Sequence, residues 1–435
     1  MRVLYDLTFI CFALFYLPFF MVRLAQAESK KRLLFDRLGC LPTELLRSDG
    51  TPRIWLHAVS VGEVLAIKKF IEELFVRFPS ATIFLSTVTP TGQAVAKKRL
   101  DPRIRPFYLP FDVSTITERV IKAITPDVIV LVETELWPNL ISSAHSRNIP
   151  TCIINGRLSP RSFRRYYYFR IFFKSIVAKV TKVAAQNERY KMRFTKIGFS
   201  PEDVIVTGTM KYDLDEEIIR SAPDREYFDE LCGFPRGSTV MIAASTHEGE
   251  EQLFLDTFVQ LRADYPALRL IIVPRHIDRA KKIIGLISAA GLNWRLADQA
   301  ACGEKNEEGE ADVFVINTIG QLASMYKHCD IVFMGGSMIR HGGQNPLEAV
   351  MFRKAIIAGP HIFNFHDVYN ELVKAGGAVI IKQSEDMVVV LRDLLQHREK
   401  LFSMGNKALE VLSSKQGATK RNCDLVAALL HNERS

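Results

Sequence analysis

Three acidic side chains and one lysine stand where this sequence could perform acid–base chemistry and neutralise charge. Glu63 closes the stretch His57-Ala58-Val59-Ser60-Val61-Gly62-Glu63, at the junction between the apolar run 54–59 and a helical pattern. A carboxylate beside a first helical turn is kept ionised by the positive end of the peptide dipoles, which suits a general base acting on a hydroxyl. Helix electrostatics alone would select the same residue. Glu133 and Glu135, in Glu133-Thr134-Glu135-Leu136-Trp137-Pro138, follow the run 127–132 and would face the same cleft as Glu63; a solvated turn is the alternative. Lys211, in Gly208-Thr209-Met210-Lys211-Tyr212-Asp213, follows the run 204–206. It would neutralise an acidic substrate or a leaving phosphate, or be an ordinary surface cation. Asp213-Leu214-Asp215 has the spacing of a metal-binding pair, but lies in a polar, acidic stretch and reads as solvated charge.

A second group lies later in the chain. The run 330–334 is followed by Gly335-Gly336-Ser337-Met338-Ile339-Arg340-His341-Gly342-Gly343-Gln344-Asn345-Pro346-Leu347-Glu348. A strand, a glycine-rich loop and a helix start capped by Asn345 make an anion site, because glycine admits close backbone approach and free N–H groups favour phosphate. Glu348 is placed to accept hydrogen bonds from ribose hydroxyls. The plain alternative is a tight loop whose glycines only turn the chain. Pro274-Arg275-His276 ends the run 268–273, and Thr318-Ile319-Gly320-Gln321-Leu322 follows the run 313–316. Convergence of Arg275, Gly320 and Glu348 at strand ends favours a nucleotide site.

These positions require a particular scaffold. Short apolar runs at 54–59, 82–88, 127–132, 151–154 and 204–206 alternate with helical patterns at 62–78, 90–99, 115–124 and 136–147. The alternation restarts with runs at 240–244, 268–273, 313–316, 331–334, 355–358 and 378–381. Such repetition predicts an α/β protein with two doubly wound parallel sheets, each presenting its loops at the strands' carboxyl ends. The expected organisation is an N-terminal anchor at 1–28, a first Rossmann-like domain at 29–215, a linker at 216–235, a second Rossmann-like domain at 236–416 and a terminal helix at 417–435. The acidic run 298–311 reads as an exposed loop.

The 435 residues suffice for two full cores. Seven cysteines without a CxxC pair argue for reduced thiols. No zinc-type His/Cys spacing, P-loop or GxGxxG fingerprint occurs. The net charge of +9 is local: residues 157–196 hold twelve Lys and Arg against the single acid Glu188. Within it, residues 162–174 interleave Arg164, Arg165, Arg170 and Lys174 with seven aromatic rings. Single-stranded nucleic acid would stack on such rings; a membrane interface with anionic lipids suits them too, and is the reading taken here. It agrees with the sixteen uncharged residues 7–22, which with the flanking Arg23, Lys30, Lys31 and Arg32 read as an uncleaved inner-membrane anchor. A secretory leader cleaved after Ala25-Gln26-Ala27 is the rival.

The order HAVSVGE, ETELWPN, GTMKYD, IIVPRH and GGS…GGQNPLE resembles the 3-deoxy-D-manno-octulosonic acid (Kdo) transferases of lipopolysaccharide synthesis over nearly the whole chain. The resemblance implies an inverting GT-B glycosyltransferase on the cytoplasmic side of a bacterial inner membrane. It would move one or several Kdo residues from CMP-Kdo to the lipid A precursor lipid IVA, with no cofactor, no metal and no nucleic-acid partner. By position it assigns Glu63 as the base, Glu133 and Lys211 as transition-state stabilisers, and Pro274, Arg275, Ile319, Gly320, Gln321, Asn345, Pro346, Leu347 and Glu348 to CMP. Two departures from the family pattern are Gln321, usually Glu, and Pro346, usually an apolar residue. A GT-B enzyme using a UDP-sugar, and a membrane-bound nucleic-acid-binding protein, are the competing readings.

Overall fold

The computed structural model describes residues 5–9, 11, 30–47, 50–215, 217–302 and 309–432. It consists of two compact units, Met1–Asp213 with Lys415–Ser435, and Leu214–Ser414.

The first unit is built on β1 (Arg53–His57), β2 (Thr82–Thr87), β3 (Arg105–Tyr108), β4 (Val128–Val132), β5 (Thr151–Gly156), β6 (Lys182–Ala185) and β7 (Val204–Val206). All pair in parallel in the order β3-β2-β1-β4-β5-β6-β7. Side chains alternate across this sheet: Ile54, Leu56, Val128 and Val130 enter one buried cluster, Trp55, Ile129 and Leu131 the other. Both faces are apolar because helices cover both, as a parallel sheet requires. The chain winds outward from β1 to β3 and then returns to the other side of β1 for β4. Loops leaving β1 and β4 therefore diverge and open a crevice at the carboxyl ends.

The terminal helix Ala418–Asn432 belongs to this unit, sending Cys423, Val426, Leu429 and Leu430 into the core beside Phe70 and Leu74. Asp213 fixes its start by accepting hydrogen bonds from the backbone N–H groups of Gly417 and Thr419. The Asp213-Leu214-Asp215 stretch is thus not merely solvated charge, since Asp213 is a structural cap. Asn422, fully buried, bonds to Thr207 Oγ1 at 3.2 Å and accepts from Asn155 N at 3.3 Å, fastening the helix to the end of β5.

The second unit repeats the plan with β8 (Thr239–Thr246), β9 (Leu268–Pro274), β10 (Trp294–Leu296), β11 (Val313–Val315), β12 (Ile331–Met334), β13 (Ala355–Ala358) and β14 (Ala378–Ile380). Their parallel order is β10-β11-β9-β8-β12-β13-β14, and the winding reverses between β8 and β12.

Strands β3, β6 and β10 are absent from the sequence expectation. β3 and β10 are short sheet edges, the former containing Pro106, and the Lys-Val-Ala-Ala of β6 has little β preference. The expected helix at 62–78 is two, Val61–Ala66 and Lys68–Arg77, broken at Ile67. The 216–235 stretch is not a bare linker: it holds helices Glu217–Arg220 and Arg225–Cys232, and Phe228 is buried. In the acidic run, Ala297–Ala301 is helical and residues 303–308 lie outside the described residues.

The expected anchor at 1–28 also lies largely outside them. Among the described residues no helix is long and apolar enough to cross a membrane. Residues 5–9 are helical and docked on the first unit. Asp6 accepts from Ser114 Oγ at 2.6 Å and Asn139 Nδ2 at 2.6 Å, and Tyr5 stacks on Phe172.

The cationic, aromatic segment forms helices Pro160–Tyr168 and Arg170–Val177. Its rings do not all face solvent. Tyr166 is buried, and Phe163, Phe172 and Phe173 pack on the core. Tyr167, Tyr168, Phe169 and Ile171, the last 87% exposed, form a ridge with Arg170.

Candidate active site

The crevice between β1 and β4 gathers three carboxylates. Ser60, in extended conformation, caps the helix Val61–Ala66 and accepts from Glu63 N at 3.5 Å. Glu63 turns back in return. Its carboxylate accepts from Val59 N at 2.8 Å and Ser60 Oγ at 3.0 Å. This reciprocal arrangement follows the Ser-x-x-Glu capping pattern and locks the Glu63 rotamer. A carboxylate has about four acceptor sites, so lone pairs remain for a substrate hydroxyl.

The expectation that the helix dipole keeps Glu63 readily ionised is corrected. Burial raises its pKa, and the Glu133 charge raises it further, against the hydrogen bonds from Val59 and Ser60 and the Arg157 charge. The helix holds only six residues, so its dipole is weak beside the loss of water.

Glu133 is the residue after β4 and has φ 62, a left-handed conformation that costs a glutamate about 1 kcal/mol or more. It accepts from Arg157 Nε at 2.7 Å, while Thr134 Oγ1 donates to the Arg157 carbonyl. Arg157 directly follows β5, so the neighbouring strand supplies Glu133's counter-charge. In the sequence Arg157 is only the first cation of the basic run, and its place just past an apolar run is the signal that it belongs to the site. Glu135 is pushed up to about 8 by burial and by the Glu63 and Glu133 carboxylates, with Arg165 and the Trp137 indole opposing.

His57 and Trp137 hold the two loops together. The Trp137 indole donates to His57 Nε2 at 3.1 Å, which places the His57 proton on Nδ1, 3.2 Å from the Ser86 carbonyl. Burial lowers the His57 pKa to about 3, so the imidazole stays neutral and acts as a fastening. Lys211 occupies the short turn Met210–Tyr212, whose first N–H donates to Asn155 Oδ1 at 3.2 Å. That bond ties the lysine's turn to the same strand end that carries Arg157.

In the second unit β11, β9, β8 and β12 are adjacent, so Ile319-Gly320-Gln321, Pro274-Arg275 and the glycine-rich loop issue from one edge of the sheet. Gly320 has φ 96, and a side chain there would meet open space, leaving the peptide accessible. The Gln321 side chain accepts from Thr318 Oγ1 at 2.7 Å and braces its own loop. Asn345 Oδ1 accepts from Leu347 N at 3.2 Å, but it is not the expected helix cap: the five-residue helix Leu347–Met351 starts from Pro346 with no side-chain cap. Glu348 has a raised pKa through burial.

The first half of the glycine-rich loop is already satisfied from within. Glu250, 1% exposed, accepts from the backbone N–H groups of Gly336 at 2.7 Å and of Ser337, Met338 and His247 at 3.0 Å. Those amides are not available to a phosphate, which leaves the 340–346 portion as the face for an anion. Gly335 is required by the same packing, because a Cβ there would lie 2.5 Å from the Ser245 carbonyl. Glu250 carried no signal in the sequence: it lies in the helix after β8 and reaches the loop only through sheet order. Among the described residues no group of three His, Cys, Asp or Glu is arranged to hold a metal ion.

Comparison with known proteins identifies the family and the fold. A family model described as 3-deoxy-D-manno-octulosonic-acid transferase (kdotransferase) matches residues 32–214, and one for glycosyl transferases group 1 matches residues 239–411. The 3-deoxy-D-manno-octulosonic acid transferase of Haemophilus influenzae is 33% identical over 380 residues, 87% of this chain and 87% of that protein. The enzyme of the same name from Bordetella pertussis is 28% identical over 380 residues, 85% and 86% of the two chains. The structure of UDP-GlcNAc 2-epimerase from Neisseria meningitidis bound to UDP-GlcNAc superposes with a TM-score of 0.58 at 14% identity, over 87% of this chain and 100% of that one. That is a likeness of fold. The two parallel seven-stranded sheets and these matches give a GT-B-like α/β architecture.

The position of Glu135 predicts a pH signature in stability. Its folded pKa of about 8 exceeds the unfolded value, so the folded state holds the extra proton between the ordinary glutamate range and about pH 8. Raising the pH through that window destabilises the wild type. Glu135→Gln therefore unfolds at nearly the wild-type midpoint at pH 5 and above it at pH 8.5. Parallel midpoints at the two pH values would refute the buried, protonated Glu135.

Proposed function

Because the chain belongs to the 3-deoxy-D-manno-octulosonic acid transferase family of glycosyltransferases, we propose that it moves Kdo from CMP-Kdo to lipid IVA, the acceptor hydroxyl giving its proton to Glu63. The observation that carries this reading is the Glu63 carboxylate, fixed by Val59 and Ser60 and raised in basicity by burial beside Glu133. A base whose pKa approaches the working pH transfers protons most effectively.

The bond-making step follows from these groups. The acceptor oxygen attacks the anomeric carbon as Glu63 takes its proton. The bond from that carbon to the CMP phosphate oxygen breaks on the opposite face, inverting the centre, and CMP departs with the electron pair. Glu133 and Lys211 support the transition state, in which the ring carbon gains positive character and the donor's anionic groups gain charge. Arg157 holds Glu133 in orientation through its Nε hydrogen bond. Pro274, Arg275, Ile319, Gly320, Gln321 and the Asn345–Glu348 turn, which share one sheet edge, take the CMP moiety, Glu348 meeting ribose hydroxyls. Gln321 offers CMP its backbone, since its side chain is engaged by Thr318.

The acceptor is a lipid, and the reading places the enzyme at a bacterial inner membrane, on the cytoplasmic side. The ridge Tyr167–Ile171 supports this: an exposed aromatic and aliphatic strip flanked by Arg164, Arg165, Arg170 and Lys174 matches the headgroup boundary and its phosphates. Tyr5 and Asp6 bring the chain alongside that strip just before the apolar residues 7–22.

Purified protein given CMP-Kdo and lipid IVA yields a Kdo-extended lipid detectable by mass spectrometry, whereas a UDP-sugar in place of CMP-Kdo yields none; the converse pattern refutes the donor. Glu63→Gln lowers kcat below about a tenth of wild type, more than ~1.4 kcal/mol, with CMP affinity unchanged. A variant that keeps more activity than this is incompatible with Glu63 as the base. Replacing Arg164, Arg165, Arg170 and Lys174 together by Gln raises the KM for lipid IVA at low salt and leaves that for CMP-Kdo near wild type. Equal changes in both constants, or none, would remove the ridge from membrane docking.

A further inference from the structure

The second unit holds a cluster that the residues assigned to CMP do not include. His247 directly follows β8, His276 follows Arg275 beyond β9, and His341 lies in the glycine-rich loop after β12. The winding of the second sheet reverses between β8 and β12, with β9 beside β8, the counterpart of the crevice that holds Glu63 and Glu133 in the first unit. The rings meet: His247 and His341 centroids are 3.9 Å apart at 38°, and His247 and His276 are 6.0 Å apart, edge to face.

The cluster is built rather than incidental. His247 is 8% exposed; Glu250 holds its backbone N–H at 3.0 Å, and Gln344 Nε2 lies 3.3 Å from its Nε2. Gly336 makes room for it, since a Cβ there would come within 3.3 Å of the His247 ring. The His341 carbonyl accepts from Asn364 Nδ2 at 3.0 Å, fixing the loop that carries it. His276 and His341 are exposed, as a ligand-facing pair must be.

The surrounding charge is one-sided. Arg275, His276 and Arg279 face His247 from the segment after β9, and His341 faces it from the loop, next to Arg340. The carboxylates of the neighbouring helix are engaged elsewhere: Glu250 on four backbone N–H groups, Glu251 on Arg279 and Thr246. Glu248, before it, pairs with Arg279 and Lys282. Among the described residues neither Arg275 nor Arg340 has an ion-pair partner. Protonation of His247 is resisted: burial, and then the neighbouring His341, His276, Arg275 and Arg279, lower its pKa to about 4. A bound anion removes that resistance.

We propose that His276 and His341, braced by His247 and flanked by Arg275, form the subsite for the phosphate of the donor nucleotide, and that filling it draws a proton onto the imidazole cluster. This rests on the reading of the second unit as the CMP site. It places the leaving phosphate on groups that supply positive charge when the phosphate is present and shed it afterwards, which favours release of CMP as the proton leaves.

The test is isothermal titration of CMP and of cytidine into the full chain between pH 6 and 8, in buffers of different ionisation enthalpy. Wild type, His341→Gln and His276→Gln are compared. The ionisation of free CMP is common to all three proteins, so a difference between them reports the bound site, imidazoles and phosphate together. CMP binding to wild type takes up roughly half to one proton more than binding to either variant. Its affinity relative to the variants falls by roughly an order of magnitude across that range. Cytidine shows no such difference. Equal proton uptake and equal pH dependence in wild type and variants, with CMP still bound, would overturn the phosphate subsite while leaving the CMP site standing. Absence of CMP binding to wild type at every pH would instead overturn the nucleotide reading on which it rests.

Discussion

Like-charge repulsion within a poorly hydrated patch is the constraint on which the first unit turns. Glu63, Glu133 and Glu135 sit within electrostatic reach of one another where β1 and β4 diverge, each only partly exposed to water. Such a group cannot carry three full charges cheaply. The structure separates their fates. Glu133 is paired with Arg157, Glu135 is driven toward the protonated form, and Glu63 is left between them as a carboxylate of raised basicity. The surrounding structure maintains this division: the His57–Trp137 bond fastens the two loops, and the terminal helix, capped by Asp213, secures the end of β5 through Asn422. A helix distant in sequence thus fixes the strand that delivers Arg157.

The second unit answers the opposite electrostatic problem with the same topology. There a buried carboxylate, Glu250, is spent on four backbone N–H groups and shapes the glycine-rich loop from beneath. The upper part of the loop is left with Arg340, His341 and the Asn345–Glu348 turn. The fold repeats a crevice at each reversal of strand order, one lined by carboxylates and the other by imidazoles and arginine. In the function proposed above, the first crevice supplies the base and the second the positive charge.

Much of this was legible in the sequence, for a physical reason. Buried parallel strands read as short apolar runs, so β1, β4, β9 and β12 and the residues just past their ends stand out. That is how Glu63, Glu133, Arg275 and the glycine-rich loop were found. What periodicity did not disclose depends on sheet order. Arg157 and Glu250 act on residues of a neighbouring strand, and nothing in their local sequence marks the partner. The upward shift of the Glu63 pKa was not foreseen because helix position is visible in a sequence while burial beside another carboxylate is not. The aromatic segment was read as a whole as a membrane-interfacial strip, whereas Tyr166, Phe172 and Phe173 turn into the core, since composition does not say which face of a short helix packs. Nor did charge pattern show that Asp213 caps a helix some two hundred residues away.

The central claim is that Glu63 is a base by virtue of its buried, carboxylate-flanked setting. A carbon-13 NMR titration of the Glu63 side-chain carboxyl, in wild type and in Glu133→Gln, addresses it without relying on turnover. The account predicts a wild-type midpoint above the ordinary glutamate range and a lower one when the Glu133 charge is removed. A wild-type midpoint at or below the ordinary range, or one indifferent to Glu133, would contradict it.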